Sequence, residues 1–469
     1  MLRKRSYLII ATLIIITYIF ITGVVLFGVQ HPTANEYLTE TDPYRFWGES
    51  YTQEQVALVE DGDTALKIRL DWIAQANNSI DLAYHSLHDG IVTDVLLASL
   101  IEAADRGVQI RILMDGIFHG LYFSQYDLRY LFQFHPNIEY RLYEPLDLLR
   151  PWTWNNRLHD KLMIVDDKFA LISGRNLGDR YYLPPTKGKN IAIDRDLILY
   201  NLDQKLLPSS GIAQMKDYFN MLWTHPYTAN QKVKQTRRTK QRAVQKQVQL
   251  SSKLKIARTT HPEYFTDTTT WIKLNSVPAK QITLIHNPIQ RGNKEPWVWA
   301  ELVRLMELAD TSVIIQSPYV IPTKAMLKYI DSQALISKEI TLITNSLAIS
   351  PNFFAVSGYL AKKNLIETYI TQVWEYFGPG SLHAKAIAID NELSIIGSFN
   401  IDARSSFLST ETMIVVHSEE LNHLLRQAIK ERINTTDTVL ENYPPPISWH
   451  KALGVRVIQP LVKIFDYLL

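Results

Sequence analysis

The chain has 469 residues, 46% of them aliphatic or aromatic, and a formal net charge of +2. That length exceeds what one core usually serves, so two domains are expected, and the near-neutral balance singles out no class of partner. With no cysteine in the sequence, disulfide staples, a thiolate nucleophile and sulfur-ligated zinc are excluded.

The N-terminus places Arg3, Lys4 and Arg5 before an uncharged apolar run, Tyr7 to Val29. The run meets the ~20 residues that cross a bilayer as a helix. A cleaved signal peptide is the rival reading, but its apolar part is about 7–15 residues long and precedes a small-x-small site. Neither feature is present, so residues 1–30 read as a cytoplasmic stub and uncleaved anchor. Basic residues on the cytoplasmic side would put the rest of the chain outside, as a single-pass protein of the cell membrane.

Residues 31–229 read as a first α/β domain. Asp63 to Ala76 has helical spacing, Ser79 to Leu87 alternates as a strand, and Ile91 to Arg106 is helical with Gly107 beyond its end. Val108 to Asp115 and Asn137 to Tyr143 follow as strands. Then comes RLHDKLMIVDDKFALISGRN, residues 157–176, with two short apolar runs that read as a hairpin.

Residues 230–260 read as a basic linker: Asn230 to Arg258 holds ten Lys or Arg and no acid, which leaves a formal charge of −8, two minus ten, for the remainder. A solvated linker or helix face and a patch for anionic lipid head groups are both compatible with it. Nucleic acid is not expected, because no aromatics are interleaved for stacking.

Residues 261–469 read as a second α/β domain. Helices are expected at Trp297 to Ala309, Lys324 to Gln333 and Phe354 to Tyr369, and strands at Ser312 to Ser317 and Ile340 to Thr344. The stretch LHAKAIAIDNELSIIGSFN, residues 382–400, then repeats the earlier motif. Ala452 to Leu469 is apolar but interrupted, and fits an interfacial segment or a packed end equally.

The repeat is chemical as well as structural. His159, Lys161, Asp166 and Asn176 recur as His383, Lys385, Asp390 and Asn400, each at an offset of 224. His and Lys two apart on a strand share a face, and the end of a hairpin's second strand lies beside the start of its first, so Asn joins them. Two such units face to face offer two imidazoles, two ammoniums and two amides, which suits a phosphodiester. One His can attack phosphorus while the other protonates the leaving alcohol. A two-His metal site is the competing reading, ranked lower because the lysines repel a cation; no metal or cofactor is expected.

A reacting imidazole needs an acceptor on its far nitrogen. Asp196 and Glu411 lie downstream of the motifs on apolar runs and are the candidates, with Asp194 the alternative in the first half. Asp166 and Asp390 follow the apolar strand at its far end and read as structural, as do the small residues Gly174 and Ser398.

These stretches resemble the paired motifs of the phospholipase D superfamily, His-x-Lys-x4-Asp followed by Gly-Gly/Ser-x-Asn. The second copy matches through Gly397 and Ser398, whereas the first has Ser173 where the family usually has Gly. The contexts SPYVIPT and ITLITNSLA are further similar to bacterial cardiolipin synthases, most of all the type C group. The resemblance implies two pseudo-twofold-related α/β/α domains and a metal-free phosphohistidine mechanism, with His159 as nucleophile and His383 as acid/base, an assignment that symmetry makes reversible. It implies phosphatidyl transfer between phospholipids, phosphatidylglycerol among them, to make cardiolipin. The alternatives are phospholipase D-type hydrolysis to phosphatidic acid and a membrane-anchored nuclease or phosphodiesterase.

Overall fold

The computed structural model describes residues 2–184, 191–201, 208–441 and 449–469. Helix α1 covers residues 2–29 and contains a π turn at Ile21–Val25. No residue of the most apolar window within Ser6–Val29 is buried, so that window has no protein core to enter. Its base does: Phe27 is buried with Phe46 in the core of the second half.

The first half is built on seven strands: β1 (Glu54–Val59), β2 (Ser79–Tyr84), β3 (Gln109–Asp115), β4 (Ile138–Tyr143), β5 (Lys161–Val165), β6 (Phe169–Ser173) and β7 (Asp196–Asn201). They lie in the order β1-β7-β6-β5-β2-β3-β4, and the short strands Val277–Pro278 and Thr228–Asn230 extend the two edges. Strands β2, β3 and β4 are parallel. Helices α2 (Gly62–Gln75), α3 (Ile91–Asp105) and α4 (Gly211–Thr224) accompany this sheet. Helix α2 starts where the Asp61 carboxylate accepts the Thr64 N–H at 2.7 Å, a cap worth about 1 kcal/mol.

Helix α5 is Arg237–Thr260. The second half then supplies β8 (Gln281–His286), β9 (Ser312–Gln316), β10 (Glu339–Asn345), β11 (Gln372–Tyr376), β12 (Ala386–Ile389), β13 (Leu393–Gly397) and β14 (Thr412–His417). Their order is β8-β14-β13-β12-β9-β10-β11, so adding seven to each first-half label reproduces it. The protein is therefore a mixed α/β structure of two units with one topology. Helices α6 (Trp297–Leu308), α7 (Phe353–Ile366), α8 (Glu419–Glu441) and α9 (Trp449–Phe465) complete it. One buried cluster draws Ile172 and Leu199 together with Ile396 and Ile414 and thus spans both halves.

The topology puts all the motif ends at one edge. Strand β5 runs antiparallel to β2, with Lys161 opposite Tyr84 at the C-terminal end of β2. In the second half Ala386 likewise opposes Gln316 at the end of β9. The C-terminal ends of parallel strands are where open α/β sheets present their sites.

Several expectations change. The basic stretch is not an open linker: Ala243, Leu250, Leu254 and Ala257 of α5 recur at helical spacing and are buried in the first half's core. Three of its cations meet first-half acids, Arg242 with Asp127, Lys253 with Asp94 and Arg258 with Glu102. Part of residues 31–53 belongs spatially with the second half, since the Trp47 indole donates to Glu392 at 2.6 Å and the Gly48 N–H to His417 Nδ1 at 3.0 Å. Lys324 to Gln333 is not one helix but parts of two single turns, Lys324–Leu327 and Ser332–Leu335, because Asp331 starts the second by capping Gln333. The C-terminus forms a helix, α9, that packs one face against α7 and leaves the other exposed, so it has features of both options.

Candidate active site

Each half sends one segment across to the other. Residues Ala192–Ile193 pair in parallel with Ser381–Leu382, and the His383 N–H donates to the Ile193 carbonyl at 2.7 Å. Reciprocally, the Thr410 N–H donates to the Arg157 carbonyl at 2.9 Å and the Thr410 hydroxyl accepts the His159 N–H at 3.2 Å. The carboxylates carried by these segments consequently reach the opposite imidazoles. His159 Nδ1 is 2.8 Å from Glu411 Oε1, and His383 Nδ1 is 2.6 Å from Asp194 Oδ2. Each imidazole keeps its Nε2 for chemistry while a carboxylate fixes the tautomer.

Asp196 is therefore not the imidazole's partner. It is the first residue of β7, opposite Ser173, and there it pairs with Arg69 at 2.5 Å and Arg175 at 2.8 Å while accepting from the Ser173 hydroxyl. Asp194 precedes the strand, on the segment that crosses over, which is why it takes the role. Gly174 is what lets it do so: a Cβ there would lie 2.0 Å from Asp194 Oδ1. In the second half Ser398 donates its hydroxyl to Glu411 Oε2.

Asp166 and Asp390 lie at the far end of their hairpins, both with positive φ. Asp166 accepts the N–H groups of Asn77, Asn78 and Ser79 at 2.7–2.8 Å, and Asp390 those of Asp310, Thr311 and Ser312 at 2.8–3.0 Å. They tie the start of β2 and β9 to the hairpin.

Lys161 and Lys385 are buried, and each donates its ammonium to the carbonyl of its motif histidine. Burial pushes Lys161 down to about 7 and Lys385 down to about 8, the neighbouring carboxylates opposing it. Burial and the lysine cations hold His159 well below the usual imidazole range and His383 at about 4, so both rings rest neutral. The carboxylates differ. Burial pushes Glu411 up to about 7; burial also acts to raise Asp194, but His383, Lys385 and Arg175 outweigh it and hold the group below the usual carboxylate range. Asn176 and Asn400 are buried, each with an amide oxygen that has no protein partner. A buried acceptor without a donor is costly, so each side chain is poised to meet a ligand, either by accepting through this oxygen or by turning its NH2 group into the site.

A cavity of about 430 Å³ opens on the His159 side, with His85, Trp154, Phe354, Asn400, Asp402 and Arg404 in its wall. His85 was not legible in the sequence because it belongs to no repeat; its ring stands edge-on to His159 at 5.1 Å. Asp160, between the motif His and Lys, faces the other way and accepts hydrogen bonds from the hydroxyls of Thr410, Thr412 and Tyr218 at 2.5–3.1 Å. Strand alternation predicts that orientation, but not the partner from the opposite half. Among the described residues no three His, Asp or Glu side chains converge as a metal site requires.

A family model described as cardiolipin synthase, PLD-like domain, matches residues 70–223 and 302–433. The chain is 26% identical to an uncharacterized protein of Helicobacter pylori strain J99, with 89% of each chain covered. It is 25% identical to cardiolipin synthase C of Escherichia coli K12, covering 75% of this chain and 78% of that one. Among solved structures, phosphatidylserine synthase of Haemophilus influenzae Rd KW20 superposes with a TM-score of 0.58 at 15% identity, over 88% of this chain and 95% of the other; it has the same fold.

Proposed function

The chain belongs to the cardiolipin synthase family of phospholipase D-like proteins, and from that premise we propose that it transfers a phosphatidyl group between phospholipids to make cardiolipin. The observation that carries this reading is the crossed pair of imidazole–carboxylate contacts, His159 with Glu411 and His383 with Asp194. His159 Nε2 attacks the phosphorus of the donor lipid. The bond from phosphorus to the head-group oxygen breaks, and that oxygen takes a proton from the Nε2 of His383, a proton the ring takes up from solvent as the anionic phosphate binds and regains from the acceptor hydroxyl in each later turnover. The phosphatidyl group is then covalently on His159. The hydroxyl of a phosphatidylglycerol gives its proton to His383 Nε2 and attacks phosphorus, releasing His159 and forming cardiolipin.

The unlike carboxylates support this division of roles. Asp194, held as an anion, stabilises an imidazolium at His383, whereas His159, desolvated and beside Lys161, stays a neutral nucleophile. Lys161 and Lys385 would donate to the non-bridging phosphate oxygens, as would the NH2 groups of Asn176 and Asn400 once each amide turns that end into the site. The unburied apolar window of α1 supports a single membrane span, with residues 3–5 cytoplasmic and the catalytic halves outside.

Purified protein is incubated with phosphatidylglycerol in mixed micelles and the lipids are resolved. Cardiolipin plus glycerol, undiminished by a chelator, is the expected result. Phosphatidic acid would indicate hydrolysis, and chelator sensitivity would overturn the two-histidine mechanism. Protease accessibility of a C-terminal tag in intact cells tests the topology.

A further inference from the structure

Helix α9 carries an apolar ridge that the fold leaves uncovered. Trp449, Leu453, Val457, Leu461 and Ile464 follow one another at spacings of four, four, four and three, and each is more than half exposed. Such spacing keeps them on one face. The opposite face buries Val455 and Val462, and α9 packs on α7. Exposed Arg456 and Lys463 border the ridge. A core-facing helix hides its apolar stripe; this one hides a second, smaller set and presents the larger to its surroundings.

The ridge is continuous with the foot of α1. Just after α9, Tyr467 packs so closely on Gly28 that a Cβ there would lie 2.9 Å from the Tyr467 ring. Leu26, Tyr467 and Leu468 join one apolar cluster. Along the C-terminal half of α1, Tyr18 donates its hydroxyl to the Leu149 carbonyl at 2.7 Å and Asn155 its amide to the Gly23 carbonyl at 2.7 Å. There Leu146, Leu148 and Leu149 are again more than half exposed. The same elements wall the cavity beside His159: Trp154 and Asn155 follow that loop, Phe354 opens α7, and Leu469 follows α9. Exposed apolar side chains thus flank the cavity on two sides, with the base of the apolar helix between them.

We propose that α9 is a second membrane contact, lying in the plane of an anionic bilayer with its ridge among the acyl chains and Arg456 and Lys463 at the head groups, while Leu148 and Leu149 dip in across the cavity. This rests on α1 spanning that membrane. A lateral amphipathic helix with basic flanks has the properties of an interfacial anchor. Together with α1 it fixes the tilt of the catalytic halves, so that a phosphate at head-group depth faces His159 and the acyl chains need not leave the bilayer.

The absence of cysteine makes the test direct. Single variants of the full chain, Leu453→Cys, Val457→Cys, Leu148→Cys and, on α1, Ile14→Cys, are labelled with a nitroxide and reconstituted into vesicles of phosphatidylglycerol and phosphatidylethanolamine. Collision with oxygen is compared with collision with a water-soluble nickel chelate. The proposal expects oxygen-dominated relaxation at 453, 457 and 148, shallower at 453 and 457 than at 148 and 14. Water-like relaxation at 453 and 457 overturns it whether or not Ile14→Cys reports lipid, and water-like relaxation at 14 alone overturns the span reading instead. Spin–spin broadening at 453 and 457 with both relaxants excluded would mean that a second copy covers the ridge, and would also overturn it. As a functional arm, Leu453→Glu with Val457→Glu is expected to lower turnover on vesicles about tenfold while leaving turnover of a soluble short-chain phosphatidylglycerol unchanged; equal loss on both substrates would count against the ridge.

Discussion

The two halves share one strand order, yet their imidazoles sit in unlike surroundings. His159 has a carboxylate that burial pushes up to about 7, a neighbouring His85 ring and an open cavity. His383 has a carboxylate held firmly ionised, with the Tyr181 ring edge-on at 5.6 Å. Duplication thus supplies two equivalent reactive groups, and the residues that crossed over make them unequal. Burial alone would treat Asp194 and Glu411 alike; the difference comes from the neighbours, His383 and Arg175 acting with Lys385 on Asp194, and Lys161 and Lys385 with two serine hydroxyls on Glu411.

The strongest way to break this comparison is to remove one imidazole at a time. His159→Ala and His383→Ala are each expected to lower turnover of phosphatidylglycerol by at least about a thousandfold. With a phosphatidyl donor bearing a nitrophenolate leaving group, which needs no proton, His383→Ala should still accumulate a phosphorylated His159, detectable by mass spectrometry. Labelling at His383 in the His159→Ala protein instead would reverse the roles.

Next in size is the contrast between Asp194 and Asp196. Asp194→Asn is expected to cost about 10²–10⁴-fold in kcat with little change in thermal stability, because it disturbs an imidazolium. Asp196→Asn leaves Arg69 and Arg175 buried beside a neutral partner, a loss of about 3–5 kcal/mol in stability. Denaturant unfolding measured alongside kcat separates the two, and a stable, inactive Asp196→Asn protein would reverse the assignment.

Smaller effects sharpen the asymmetry. Gly174→Ala must push Asp194 aside, given the 2.0 Å approach, and is expected to lower kcat about tenfold or more. Ser398→Gly removes one hydrogen bond to Glu411, about 1 kcal/mol, and should cost only several-fold. Equal losses at both positions would mean that they serve the two carboxylates in the same way.

The pH profile is the mildest probe. Lys161 and Lys385 are ammonium below about 7 and 8 respectively and lose that charge above. Raising the pH through this window removes positive charge facing the substrate phosphate, so kcat/KM should fall on the alkaline side through a rise in KM. A kcat/KM that is flat from pH 6 to 9 would remove the lysines from phosphate binding.

Much of the fold was legible because its signals are local. Ser79 to Leu87 alternates, Ile91 to Arg106 has helical period, and the hairpins after Lys161 and Lys385 are uninterrupted apolar runs, so each element could be read in its own window. Strands β1, β8 and β11 were missed; each opens on Glu or Gln, and polar residues bound or interrupt its apolar positions (EQVALV, QITLIH, QVWEY), so no alternation stands out. Basic content at 230–260 fitted a solvated linker or helix face as well as a lipid-facing patch; α5 is a helix with most of its basic side chains exposed, and charge density does not reveal the four small or apolar residues that dock it.

The sequence by itself determined the repeat, the pairing of His with Lys on one strand face and the class of chemistry such a set suits, since all three follow from spacing along a chain of period two. Only the tertiary structure decided that Asp194 and not Asp196 meets an imidazole, that each carboxylate serves the opposite half, and that α9 turns its larger apolar face outward. Those outcomes depend on where segments distant in sequence cross and on which face a neighbour covers, and neither is encoded in local periodicity.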